Sequence, residues 1–436
     1  MKKKFGIWLA TALVVGNIIG SGIFMLPGGL APFGWNAVVA WSITFVGVLC
    51  LAWVYAMLAR HLPNAGGGYG IMRMAVGDRA AFLGSWGYVV SVWAANAAIT
   101  VAGMSYLSRL VPALSTTPAA TPIVALSAIW LLTWINLRGL QVAGLVQLVT
   151  ASIKLLPFMA VIGLAVWRLF DTGTATMPPL RAEDLSLSSV AGAAGLTLYA
   201  MLGLESATIP SDAVENPERV VPLATMIGTG VSAVVSLVAT CAVALMLPLT
   251  VVTASVAPIS DFIAISWGSM AGGFVALCAI VSCFGCVNGW ILVGGELPAA
   301  MADAGALPAW FGARNAAGAP VRSVLVCAVA TSLLVLMAYT RSGVAAHNFV
   351  ALLAASTGLV IYVIASIAVF RFTRDGRLPK QRGLLLAGGV SFIFSFWALY
   401  GTGVEALGWG AVLIAAGWPL YFWAQRAARA EVAATN

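Results

Sequence analysis

The sequence predicts an all-α membrane protein with about twelve transmembrane helices. Of its 436 residues, 61% are hydrophobic and only 8% are charged. The mean hydropathy is +1.00, and a soluble domain does not have this composition. Apolar runs of about 20 residues, the length that crosses roughly 30 Å of hydrocarbon, recur about twelve times between short polar segments.

The apolar runs locate the predicted spans. The first six lie near residues 6–32, 36–59, 82–111, 122–137, 144–170 and 188–210. The second six lie near residues 221–247, 270–300, 321–339, 348–372, 383–400 and 408–428. No linker between them is long or polar enough to hold a separate soluble domain.

The basic residues predict the orientation of the spans. Short cytoplasmic loops retain Lys and Arg, whereas translocated loops are poor in them. With twelve spans and the N-terminus inside, about seventeen of the 22 Lys and Arg residues fall on the cytoplasmic side. Four fall on the other side: Arg109, Arg168, Arg181 and Arg341. We therefore expect an integral protein of the plasma (inner) membrane with both termini cytoplasmic. The formal charge of +8 reflects this topology and indicates no nucleic acid partner.

The first span carries three small residues at its centre. Residues 17–24 read NIIGSGIF, inside the apolar run 6–32. Non-helical backbone at membrane depth is tolerated only where protein or a cavity surrounds it, and in transporters such breaks hold the substrate near the midplane. The apolar part is longer than the h-region of a cleaved signal peptide, so we interpret it as a retained span. This segment indicates a carrier.

The sixth span has a second candidate break. Residues 198–207 read LYAMLGLESA, and Pro210 follows. Breaks five spans apart are expected of an inverted repeat of five helices, with the binding site between the broken helices. The sequence therefore predicts a first repeat in 1–170, an inverted second repeat in 188–372, and two additional helices with a cytoplasmic tail in 383–436. The alternative is that Gly203 only lets a neighbouring helix pack closely.

Two ionisable residues lie near the middle of predicted spans, where such groups are costly and indicate function. Lys154 lies about ten residues into the fifth span. It could act as a fixed cation in place of a metal ion, as a titrating group, or as a structural amine bonded to freed backbone carbonyls. Glu205 follows Gly203 by two residues. It could sense protons, contact a cationic substrate, or serve as a lasting hydrogen-bond anchor.

Other classes of protein fit the sequence less well. A membrane-embedded enzyme needs a nucleophile, a metal set or an acid/base pair, and we place both histidines, His61 and His347, in or beside loops. Cys283 and Cys286 form a CxxC pair, but no second pair or nearby His completes a metal set. A channel should show a polar or charged ring along a pore. We therefore predict neither an enzyme nor a channel, and no cofactor or resident metal.

The same motifs resemble a known superfamily. Residues 17–24, with Pro27 after them, are similar to the first-span signature of the amino acid, polyamine and organocation (APC) transporters. Three more runs are similar, in order, to that family's loop after span two, its sixth span and its connection between spans six and seven: 64–69 (NAGGGY), 198–207 and 215–225 (ENPERVVPLAT). The resemblance covers nearly the whole chain. It implies a LeuT-like fold of five plus five inverted helices, with helices 1 and 6 broken, that transports amino acids by alternating access.

The subgroup that the chain most resembles implies particular site residues. LESA at 204–207, together with the 215–219 loop, is most similar to the basic amino acid and polyamine antiporters, which exchange an amino acid for its decarboxylated amine. This likeness implies that backbone N–H groups near Ser21 and Gly22 hold the substrate carboxylate. Carbonyls near Ile18 and Tyr199 would hold its amino group. Three more side chains would line the pocket: Asn96, Leu202 and Trp290.

Two residues depart from the antiporter pattern. Tyr199 stands where those antiporters usually have Trp, which affects the shape of a gate and the size of side chain accepted. Lys154 resembles the fifth-span lysine of neutral amino acid exchangers and proton-coupled carriers. Two functions stay open: exchange of a basic amino acid for an amine or another amino acid, and transport of a neutral amino acid by exchange or with protons. In both, the partner is a small molecule in a lipid bilayer.

Overall fold

Helices form nearly all of the regular structure in this computed structural model, which describes residues 6–20, 22–62, 67–117, 119–174, 177–208, 214–341 and 343–435. The helices of the first half are Ile7–Ile18 (α1), Leu26–Leu30 (α2), Trp35–His61 (α3), Gly67–Val76 (α4), Asp78–Leu110 (α5), Ala113–Thr116 (α6), Ala120–Leu137 (α7), Leu140–Thr172 (α8) and Leu187–Tyr199 (α9). Those of the second half are Pro217–Met246 (α10), Leu249–Ala254 (α11), Pro258–Asp303 (α12), Val321–Ala338 (α13), Gly343–Arg374 (α14), Arg382–Gly401 (α15), Val404–Ala415 (α16) and Trp418–Thr435 (α17).

The helices confirm the predicted class, an all-α membrane protein. Among the described residues, ten helices are long and apolar enough to cross a bilayer. Two shorter apolar helices, α1 and α9, begin the first and sixth predicted spans, where the breaks are expected. Every predicted span has a helix at its position, and the number that cross the membrane stays a prediction, as do the two repeats.

Burial separates central helices from peripheral ones. In α5, 94% of the residues in its apolar 18-residue window are buried. In the corresponding window of α7, only 28% are buried. The helix α5 packs against α12, α13 and α14, and α10 packs against α1 and α3. Because lipid is as apolar as a protein core, the exposed faces of the outer helices remain apolar, with Leu131 on α7 and Trp423 on α17 as examples.

Several helices begin before the residue that hydropathy predicts, and α12 and α14 do so by the largest margins. The eighth span is expected at 270–300, but α12 begins at Pro258 and has one non-helical residue, Gly268. The tenth span is expected to begin at residue 348, but α14 begins at Gly343. Polar residues in these extra turns lower the hydropathy without preventing a helix, because the turns pack on protein. For example, Asp261 pairs with Arg109 of α5, with 2.9 Å between Oδ1 and Nε.

Candidate functional site

The first predicted break is present in the backbone. The helix α1 ends at Ile18, Ile19 is extended, and Gly20 has a φ of +123°. A Cβ atom at Gly20 would lie 2.9 Å from the Cβ of Cys286 and 3.0 Å from the carbonyl oxygen of Ser282. Only glycine accepts both this backbone angle and this close approach, so α12 lies directly against the break. Ser21, which the antiporter likeness places at the substrate carboxylate, lies outside the described residues.

The second predicted break is also present and touches the first. The helix α9 ends at Tyr199, and residues 200–208 form turns. Gly203 has a φ of +105°, and a Cβ atom there would lie 3.0 Å from the Cβ of Asn17 and 3.2 Å from Cζ2 of Trp290. The backbone of the second break therefore packs against the last turn of α1. Pro210 lies outside the described residues.

Asn17 connects the two breaks to the surrounding helices. Its Nδ2 donates to Oγ of Ser206 at 2.9 Å, and its Oδ1 accepts from Nε2 of Gln147 at 3.1 Å. Its backbone carbonyl accepts from Nε1 of Trp290 at 3.1 Å and from Sγ of Cys286 at 3.2 Å. One buried residue thus bonds to α8, to α12 and to the turns after α9. Sequence reasoning assigned no role to the Asn17 or Gln147 side chains, although Asn17 opens the first motif and Ser206 lies in the second.

Four of the predicted substrate residues lie around the two breaks. Ile18 is the last residue of α1 and is fully buried. Gly22 lies against the ring of Tyr199, because a Cβ atom there would overlap Cε1 and Cδ1 of the tyrosine. Trp290 bonds to Asn17, as described above, and its ring centroid lies 6.3 Å from that of Tyr88. The arrangement forms a buried region where backbone from both breaks meets the rings of Tyr199 and Trp290.

The other two predicted pocket residues face neighbouring helices. Leu202 lies beside α14, since a Cβ atom at Gly358 would be 3.4 Å from its Cδ2. Asn96 is fully buried, and its Nδ2 lies 3.8 Å from Sγ of Cys327 on α13. Its Oδ1 has no hydrogen-bond partner in the described part of the chain. A role for Asn96 at the substrate stays a prediction.

Lys154 reaches the last turn of α1 from α8. Its side chain is fully buried, and Nζ donates a hydrogen bond to the carbonyl oxygen of Gly16. In a continuous helix that carbonyl would accept from the amide of Gly20, which lies outside α1. The lysine therefore supplies a donor to a carbonyl next to the break. The Gly16 carbonyl that it binds lies one helical turn before the backbone that is predicted to bind substrate.

Glu205 lies beside Tyr362 of α14 and Tyr55 of α3. Its Oε2 accepts from the hydroxyl of Tyr362 at 2.6 Å, and only 1% of the residue is exposed. Its Oε1 and the hydroxyl of Tyr55 have no hydrogen-bond partner among the described residues. The ring centroids of Tyr55 and Tyr362 lie 6.0 Å apart. The carboxylate thus lies buried beside two tyrosines. Among the described residues its Oε1 has no partner and is available to receive a proton, a water or a cation.

The two histidines lie in different environments, and one differs from expectation. His61 is the last residue of α3 and is exposed, as a residue beside a loop should be. His347 is fully buried in α14, with its ring centroid 5.8 Å from that of Tyr199. The span predicted from hydropathy begins at Asn348, one residue after His347, so His347 is expected beside a loop. The packing of α14 against the broken helices buries it.

The described residues contain no group of three or more His, Cys, Asp or Glu that could hold a metal ion. Cys283 and Cys286 are both buried and both carry free thiols. The Sγ of Cys286 bonds to the Asn17 carbonyl, so this member of the CxxC pair serves as a hydrogen-bonding group beside the break.

The chain is similar to known proteins along nearly its whole length. A family model described as amino acid permease matches residues 5–423. The putrescine transporter PotE of Escherichia coli (strain K12) is 30% identical over 429 residues, which cover 96% of this chain and 95% of the relative. PotE of Haemophilus influenzae is also 30% identical, with 96% of each chain covered. The cadaverine/lysine antiporter of E. coli (strain K12) is 30% identical over 410 residues, 92% of this chain and 90% of the relative.

Proposed function

Because the chain belongs to the amino acid permease family, we propose that it is a secondary active transporter that exchanges a basic amino acid for an amine or another amino acid. Family membership confirms the predicted APC superfamily and a transporter rather than an enzyme. The observation that carries the proposal is the meeting of two interrupted helices at Asn17 and Gly203. In transporters, the backbone of such interrupted helices is suited to bind the charged ends of an amino acid.

The proposed binding mode uses the backbone of both breaks. Backbone N–H groups near Ser21 and Gly22 hold the substrate carboxylate, and carbonyls near Ile18 and Tyr199 hold its amino group. Gly22 lies against the Tyr199 ring, so a ligand at Gly22 is covered by that ring. Trp290 forms another wall next to Asn17. Leu202 and Asn96 complete the proposed pocket.

A basic substrate is favoured by two considerations. The relatives include a putrescine transporter and a cadaverine/lysine antiporter, at 30% identity. Glu205 provides a buried carboxylate with one unpartnered oxygen among the described residues, and such a group can neutralise an ammonium ion in a low-dielectric environment.

A second function is favoured by Lys154. Its buried ammonium lies beside the break, where it repels a cationic substrate and can substitute for a bound metal ion. In this alternative the protein is a neutral amino acid exchanger or a proton-coupled carrier that uses Lys154. Both functions require alternating access by two inverted repeats, 1–170 and 188–372, with the helices of 383–436 outside them.

Transport by the purified protein in liposomes tests these functions. We would compare uptake of labelled arginine, lysine, putrescine and alanine, with and without internal substrate and with and without a pH gradient. Cation uptake that requires internal amine or amino acid supports the antiporter. Alanine uptake driven by exchange or by the pH gradient supports the neutral carrier. Uptake that never exceeds equilibration along a gradient would contradict both and favour a channel.

A further inference from the structure

His347 is a buried imidazole that the proposed transport mechanism leaves without a role. It lies near the start of α14, and none of its surface is exposed. Its Nδ1 lies 3.3 Å from Oδ1 of the adjacent Asn348, while Nε2 has no hydrogen-bond partner in the described parts of the chain. Buried polar atoms are normally paired, so an unpaired nitrogen next to a binding region requires an explanation.

The imidazole contacts the aromatic ring that covers the first break. The rings of His347 and Tyr199 are 5.8 Å apart at their centroids with an interplanar angle of 75°, an edge-to-face arrangement. The same Tyr199 ring lies against Gly22, where a Cβ atom would overlap Cε1 and Cδ1. Tyr199 is therefore packed against both Gly22 and His347.

The neighbours of His347 on α14 hold the other half of the broken first helix. The amide of Asn348 lies 3.2 to 3.3 Å from the position of a Cβ atom at Gly29, and Cγ2 of Val344 lies 3.4 Å from that at Gly28. Both glycines belong to α2. The first turns of α14 thus contact α2 through Val344 and Asn348, and the end of α9 through His347. A movement of α14 relative to α2 would change the packing of the His347 ring against the Tyr199 ring.

We propose that His347 is a positioning residue that holds the Tyr199 ring over the substrate site at Gly22 and thereby sets the affinity for substrate. This role deepens the proposed transport function and rests on it. The imidazole acts through Tyr199 in the conformation described here. Its Nε2 gains water as a partner when Tyr199 moves aside to admit substrate. In this conformation Nε2 has no partner among the described residues because the Tyr199 ring still covers the site.

Exchange kinetics of three variants in proteoliposomes test the proposal. His347→Phe keeps an aromatic ring against Tyr199 and removes both nitrogens, whereas His347→Leu and His347→Ala remove the aromatic contact. An edge-to-face pair contributes enough to change an equilibrium by about two- to tenfold. We therefore expect Leu and Ala to raise KM by about that factor with a smaller change in kcat, and Phe to restore a wild-type KM. His61→Ala, at the exposed end of α3, is the matched control and leaves both constants unchanged.

A double-mutant cycle with Tyr199 separates positioning from other roles. In a Tyr199→Ala background, His347→Leu should have no further effect on KM, because the residue acts through the missing ring. Equal effects in both backgrounds would overturn the proposal, as would an unchanged KM in His347→Leu and His347→Ala. Rescue by His347→Gln and not by Phe would also overturn it, since that pattern indicates a direct hydrogen bond to substrate.

Transport by the wild-type protein distinguishes failure of the proposed function from failure of the proposed role of His347. A wild type that exchanges none of arginine, lysine, putrescine and alanine contradicts the proposed function, and the role of His347 falls with it. If the wild type exchanges substrate and every His347 variant has the wild-type KM, only the proposed role of His347 is contradicted. Monodisperse elution in detergent verifies that each variant is folded, and His347→Leu preserves buried volume if His347→Ala does not fold.

Discussion

Asn17 uses its side-chain oxygen, its side-chain nitrogen and its backbone carbonyl to bond to three parts of the chain: α8, α12 and the turns after α9. Two other residues place an ionisable group in the same region. Lys154 bonds to α1 one turn before the break, and Glu205 bonds to α14. At the residue scale, the site therefore has a basic and an acidic side chain on different sides of the interrupted backbone.

Replacing Lys154 tests whether its charge takes part in coupling. We expect Lys154→Ala to lower transport about tenfold or more, or to change its pH dependence, while the protein still folds, because an intramembrane amine beside a break is positioned for function. The measurement is uptake into proteoliposomes across a range of pH values.

Lys154→Gln is the matched control for this prediction. It keeps a donor for the Gly16 carbonyl and removes the charge. If Gln transports like the wild type at every pH, the lysine serves only as a hydrogen-bond donor, and the coupling role is wrong.

Replacing Glu205 tests its preference for cations. Glu205→Gln keeps an acceptor for the Tyr362 hydroxyl and removes the negative charge. We expect it to weaken lysine and putrescine binding by about tenfold and alanine binding less, since only the cations lose an electrostatic partner. Competition for labelled substrate measures both effects.

Tyr362→Phe is the control for Glu205, since it removes the hydroxyl donor and leaves the carboxylate. It should affect cationic and neutral substrates alike. An equal loss for both substrate classes in Glu205→Gln would argue for a structural anchor.

Two helices are interrupted by particular backbone conformations. Gly20 and Gly203 both have φ values above +100°, a region that side chains other than glycine avoid. Each lies against another element, with Gly20 next to Cys286 and Gly203 next to Asn17 and Trp290. At the element scale, the breaks are thus maintained by glycine and by close contact with α12 or with each other.

Gly203→Ala tests the importance of the second break. The methyl group would lie 3.0 Å from Cβ of Asn17 at a φ of +105°, so we expect a loss of about 1–3 kcal/mol of stability and strongly reduced transport. The midpoint of thermal unfolding in detergent and uptake into liposomes measure these effects.

Gly163→Ala on α8 is the matched substitution, because nothing lies within 4 Å of its Cβ position. In a helix it should be neutral or stabilise by about 1 kcal/mol. Comparable losses in both variants would mean that the tightly packed glycine of the break has no special role.

The molecule as a whole has a central helix, α5, and peripheral helices with apolar exposed faces. Its basic residues are unevenly distributed along the chain, and this asymmetry predicts the orientation in the membrane. We expect both termini on the cytoplasmic side of the plasma membrane. Reporter fusions measure this directly.

A fluorescent protein at the C-terminus should fold and fluoresce, whereas a phosphatase at the same position should be inactive. A phosphatase fused after residue 181, in the segment between α8 and α9, should be active and is the matched control. An active phosphatase at the C-terminus would contradict the predicted orientation.

The sequence by itself determined the membrane class, the approximate positions of the spans and the two breaks, because each depends on local properties. Hydropathy over about 20 residues reports a span, and small residues in an apolar run report a weak point in a helix. The motifs also indicated the superfamily that the comparisons support. Lys154 and Glu205 could be selected because a charge in an apolar run is visible without a structure.

Only the tertiary structure decided which side chains meet. Asn17 and Ser206 are separated by 189 residues along the chain, and Asn17 and Gln147 by 130. The burial of His347 against Tyr199, the contact of Asn96 with Cys327 and the direction of Glu205 toward Tyr362 also join different helices. No local pattern reports these contacts, since they depend on how the helices pack and rotate against one another.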